Sequence, residues 1–203
     1  MIRTTLTQAL LMSCFLTGAS AASAQGTMPE SSPTASDIAT KPGQSPDQTA
    51  TQQLSDAQIT TILMVANNAE VTQGKLAQKT AKNKEVVQFA KQMVNDHTAS
   101  GKEVKDLNAR MKVKEQSSAI RDQLDAAARS SDQRLKGKKG ADFEKTYIDE
   151  QVTMHQTVLD TIDTQLMPNA KAEELKTLLT KTRSTIASHL DHAKQLQNSK
   201  AAM

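Results

Sequence analysis

The chain has 203 residues, 37% of them hydrophobic and only 2% aromatic, and its net charge of +3 is spread over interleaved Lys, Arg, Asp and Glu. That length holds one compact domain plus extensions. The scarcity of rings leaves no stacking platform for single-stranded nucleic acid, and the mixed surface charge describes solubility rather than a nucleic-acid partner.

Taken in order, the chain opens with a short positive stretch, Met1-Ile2-Arg3. An apolar run follows over about Leu6 to Ala19, and then small residues ending in Ala22-Ser23-Ala24. This is the three-part pattern of a cleavable secretory leader over residues 1–24, with a periplasmic destination and an envelope protein as the partner class that export allows. Leu11-Met12-Ser13-Cys14 has the outline of a lipid-attachment site, with Met12 out of pattern. Cys14 is the only cysteine, so the mature chain has no disulfide and no thiolate metal site.

Residues 25–53 scatter Pro29, Pro33, Pro42 and Pro46 among Ser, Thr, Gln, Gly and Ala. The segment buries too little apolar surface to offset its ordering entropy and reads as a disordered linker. Residues 199–203 read as a flexible tail. No apolar stretch of the mature chain is long enough to span a membrane as a helix.

Between them, residues 54–198 carry helical periodicity and no period-two strand pattern. The first helix starts at Ser55 or Asp56 as N-cap and ends near Lys82-Asn83. Its seam is Ile59, Leu63, Ala66, Glu70, Gln73 and Ala77. A frame through Ile62, Ala69 and Leu76 competes with it, which leaves the place of Glu70 open. The second, Val86 to Met111, has the seam Val86, Ala90, Met93, His97, Ser100, Val104, Leu107 and Met111.

A shorter helix over about Ser117 to Leu135 is thin in apolar residues and must lie against something larger. The third long helix, about Ala141 to Leu166, reads Ile148, Val152, His155, Leu159, Ile162 and Leu166, and Pro168-Asn169 makes the next turn. The last, about Lys171 to Gln197, reads Leu175, Leu179, Thr182, Ile186, His189, Ala193 and Leu196. The layout is an antiparallel four-helix bundle with a short extra helix in the crossover between its second and third long helices.

Three seams are thus interrupted by a histidine and one by an acid. Helical rise puts Glu70 and His97 at the same level, whereas His155 and His189 differ by roughly 8 Å. If the helix ends adjust, Glu70, His97, His155 and His189 form one polar layer. That set suits a single transition-metal ion such as zinc, copper, iron or manganese. It also describes a hydrogen-bonded Glu–His network that fixes register in a non-enzymatic structural, interaction or stress-related envelope protein. Gly74 and Gly101, four residues after Glu70 and His97, leave room for close helix approach or a bound group. Asp96 points away from its neighbour His97, toward the bundle edge, where it pairs with a base or caps a neighbour. There is no phosphate loop, dinucleotide fingerprint or nucleophile elbow, and no catalytic residue is assigned.

The run Glu85 to His97 resembles the signature of an exported bacterial domain-of-unknown-function family labelled as outer membrane proteins. So do Asn67 to Glu70 with Gly74-Lys75-Leu76-Ala77, Tyr147 to His155, and His189-Leu190. The resemblance covers residues 54–198. It implies an all-α, ferritin-like bundle and places the family's recurrent polar positions on Glu70, Asp96, His97, His155 and His189. It implies no activity. A ferritin-type di-iron site needs a Glu three residues before its His, and here those positions hold Val94, Val152 and Ile186, which argues against di-iron chemistry.

Overall fold

In the computed structural model the described residues are 53–199, and all regular structure among them is helical. The expected leader over 1–24, all of the expected linker over 25–53 except its last residue, and residues 200–203 of the expected tail lie outside the described residues. Five helices follow one another: α1 (Asp56–Thr80), α2 (Lys84–Met111), α3 (Ala119–Leu135), α4 (Gly140–Thr161) and α5 (Glu173–Asn198).

The helix starts follow side-chain chemistry. Ser55 and Gln58 cap α1 reciprocally, the serine hydroxyl accepting from Gln58 N at 3.2 Å and the Gln58 carbonyl from Ser55 N at 2.9 Å. Asn83 caps α2 by accepting from the amides of Glu85 and Val86, and Ser118 caps α3 by accepting from Arg121 N. Asp56 does a different task from capping its own helix: its two carboxylate oxygens accept from Lys171 N and Ala172 N, tying the foot of α1 to the α4–α5 connection.

That connection departs from expectation. Pro168 does not make the turn. The α4 axis continues through a π-helical segment, Ile162–Leu166, and a last helical turn, Met167–Asn169, with Pro168 in the first positions of that turn, where its missing amide proton does least harm.

The chain directions follow from the contacts. Residues 81–83 reverse α1 into α2, and this turn is held by Glu144 at the head of α4, whose carboxylate accepts from the amides of Lys82 and Asn83. At the other end Gln58 donates to Ser117 O just before α3. Helix α3 therefore returns the chain along the bundle, packed on α1 and α4, so that α2 and α4 run the same way and α1 and α5 oppose them. The closest pairings are α1 with α2 and α4 with α5.

The apolar interior is in two parts. One gathers Leu54, Ile59, Leu63, Val104, Leu107, Ile162, Leu175, Leu179 and their neighbours. The other gathers Ala77, Val86, Phe89, Met93, Leu135, Phe143, Tyr147, Ile148 and Ala193. On each long helix buried polar residues separate the two parts: Asn67, Glu70 and Gln73 on α1, His97 on α2, Gln151 and His155 on α4 and His189 on α5. The competing α1 frame is settled by burial, since Leu76 is 37% exposed while Glu70 is 3% exposed. On α4 the buried seam passes through Gln151 and Val158, and Val152 and Leu159 are only half-buried.

Candidate metal centre

His97, His155 and His189 meet at mid-bundle. All three are buried, their ring centroids stand 5.7, 5.3 and 5.4 Å apart, and one nitrogen from each lies within 4.8 Å of the other two. The roughly 8 Å offset expected between His155 and His189 is absent because α4 outlasts Leu166. From His155 to Asn169 is 14 residues and from Glu173 to His189 is 16, which leaves a difference of only about 3 Å.

Each ring is held by one nitrogen. His97 Nδ1 lies 2.9 Å from Asn67 Oδ1, His155 Nδ1 lies 2.9 Å from the backbone carbonyl of Gln151, and His189 Nε2 lies 2.9 Å from Asp96 Oδ2. The carbonyl and the carboxylate can only accept, so the protons of His155 and His189 sit on Nδ1 and Nε2 respectively. With the Asn67 amide oxygen toward His97, the same holds for its Nδ1. The opposite nitrogens, His97 Nε2, His155 Nε2 and His189 Nδ1, are buried and have no hydrogen-bond partner. As lone pairs they cannot satisfy one another.

Burial keeps these rings neutral. It drives His97 well below its ordinary value, with the neighbouring His155 and His189 adding to the effect, and lowers His155 from 6.5 to about 4. His189 is also lowered by burial, against the opposing pull of its bond to Asp96. Neutral imidazole is the form that binds metal.

Glu70 stands beside the triad. Its Oε1 is 3.7 Å from His155 Nδ1, and its other oxygen is buried without a partner. Burial raises its carboxyl from 4.5 to about 7, with the Gln151 side chain and His189 opposing. The expected meeting of Glu70 with His97 is replaced by two contacts, Glu70 with His155 and Asn67 with His97. Asn67 lies one turn from Glu70 on the same face of α1, and that i, i+3 spacing was the available signal for it.

Asp96 is 41% exposed at its side chain and reaches inward to His189, a base as expected. Of the two glycines, Gly74 marks a close approach, since a Cβ there would sit 2.8 Å from Val94 Cγ2. Gly101 has only Asn67 Cβ within 4 Å, at 3.8 Å. His192, outside the triad, sets its ring edge-on to Phe89.

The chain matches the family model described as Domain of unknown function (DUF4142) over residues 40–196 and belongs to that family. No curated protein and no solved structure matches it.

Proposed function

We propose that this DUF4142 chain is an exported, periplasmic, ferritin-like bundle that holds a single first-row transition-metal ion through His97, His155 and His189, with Glu70 alongside. The observation that carries the reading is the set of three buried, partnerless ring nitrogens from three helices. Each ring is turned by an acceptor on its far side, which is how metal-binding histidines are oriented. Neutral imidazoles favour zinc, copper or iron over the harder manganese. The helix directions, with α3 returning the chain so that α2 and α4 run alike, support the ferritin-like arrangement. The apolar Val94, Val152 and Ile186 take the place of the carboxylates that a second ion would need. The leader-like residues 1–24 support export.

The test is elemental analysis of protein purified without an affinity tag, followed by calorimetric titration with zinc, copper and iron. One ion per chain, lost in His155→Ala, is the expected result. Absence of bound metal, together with melting unchanged by any of the three, refutes it. In that case the layer is a hydrogen-bonded register device in a non-enzymatic envelope protein, a reading favoured by the protein acceptor that every ring already has.

A further inference from the structure

Two spaces adjoin the histidine triad and share Asn67, His97, Thr182 and Ile186 in their walls. The smaller, of about 10 Å³, is bordered by Glu70, Leu63, Ala66 and Val158 together with His97 and His155, and at most reaches the smallest volume that admits a water. The larger is a cleft of about 270 Å³ between α2 and α5 that opens to solvent and reaches His97 and His189. Its wall carries Ser100, whose buried hydroxyl has no hydrogen-bond partner, and Thr182, with Lys181 at the rim. The two acids of the cleft are engaged, Asp96 with His189 and Glu103 with Lys181.

We propose that this cleft is a binding site for a small anion, of the size of azide or acetate, that coordinates the ion from the cleft. The proposal rests on the metal reading above. Three imidazoles leave a tetrahedral ion one position short, and in open sites that position takes water or an exogenous ligand. Glu70 lines the smaller space and not the cleft, so the cleft supplies the route to the remaining position. The ligand is anionic because the ion brings its full charge among neutral imidazoles, and because the groups left to meet a ligand are hydroxyl donors, the Lys181 ammonium being held by Glu103. It is small because the volume is below the roughly 300–1,000 Å³ of pockets for drug-sized molecules.

The experiment loads the chain with cobalt(II), whose visible bands report coordination, and titrates it with azide and then with acetate. The expected result is a saturable band shift with one anion per ion. Thr182→Leu/Thr185→Leu, which narrows the cleft and keeps all three histidines, retains one cobalt per chain and weakens the anion response at least tenfold. Ser100→Val tests the same point by a smaller change, with an expected several-fold loss.

A cobalt-loaded chain whose bands do not respond to either anion overturns the cleft assignment and leaves the metal reading standing. The same holds for anion affinities equal in wild type and in both variants. Failure to bind cobalt, zinc, copper or iron at all overturns both.

Discussion

His189 Nε2 and Asp96 Oδ2, 93 residues apart, lie 2.9 Å from each other and join α5 to α2 at the edge of the histidine triad. The bond fixes which nitrogen of His189 turns inward. Asp96→Asn removes the charge and leaves one neutral amide oxygen in place of the carboxylate pair, so the ring keeps only a weaker acceptor. Metal affinity is expected to fall roughly 10- to 100-fold, the usual effect of altering such an outer partner. Thermal stability in chelator should change little, because Asp96 is partly solvated. Competition against a chromophoric chelator measures the first quantity and a melting curve the second. Equal affinities would refute the orienting role.

Acid acts on the metal-free layer in two opposed senses. His155, lowered from 6.5 to about 4, binds fewer protons folded than unfolded, so its contribution to stability is lost as pH falls from about 6.5 toward 4. Glu70, raised from 4.5 to about 7, does the reverse: its contribution is complete below about 4.5 and is lost as pH rises to 7. Glu70→Gln removes only the second effect. In chelator, urea denaturation should show the variant gaining on wild type between pH 4.5 and 7 by up to about 3 kcal/mol. A difference independent of pH would mean that Glu70 is not held in a desolvated site.

The two helix glycines should behave oppositely. In Gly74→Ala the added Cβ would lie 2.8 Å from Val94 Cγ2 and 3.1 Å from the Ala90 carbonyl, forcing α1 away from α2. A loss of about 1–3 kcal/mol is expected, as for other overpacked interiors. In Gly101→Ala the nearest outside atom is an ordinary van der Waals contact, so helix propensity should dominate and stability should hold or rise by up to about 1 kcal/mol. Parallel melting curves distinguish the two sites.

Glu144 is 7% exposed and accepts from both Lys82 N and Asn83 N in the α1–α2 turn. Glu144→Ala strands two amides at a partly buried bend and should cost about 1–3 kcal/mol in urea denaturation. Metal affinity should be preserved, because the turn lies well away from the triad along the bundle. A coupled loss of affinity would show that the turn sets the position of His97.

The seam periodicity made the helices and their buried faces readable, because an apolar stripe of period 3.6 has few alternative explanations. All three triad histidines could be named for the same reason. What the pattern could not convey was height. Pro168 reads as a stop, yet it stands where a helix turn tolerates proline, and the three extra residues of α4 close the gap between His155 and His189. Partners of the rings were harder still. Asn67 and Gln151 look like ordinary polar residues until helix rotation brings one against His97 and the backbone of the other against His155. Asp96 was placed at an edge by its phase, but the identity of its base depends on how α5 packs, which no local pattern encodes.

The division of the interior by polar residues has a consequence for how the bundle assembles. Helices α1 and α2 are joined by a three-residue turn and α4 and α5 by a short bend, so each hairpin can zip up from contacts near in sequence, with little loop-closure entropy to overcome. Docking the hairpins is the remaining step, and an apolar stripe alone would tolerate sliding by one turn, about 5.4 Å. Such a slip would set His97 of one hairpin against the aliphatic rows of the other and leave Glu70, His155 and His189 facing hydrocarbon. Burying those groups unmatched is costly enough to reject the slipped pairing. The mid-bundle layer therefore serves as a vernier mark for the fold, and the triad is completed only when the two hairpins have found the right alignment.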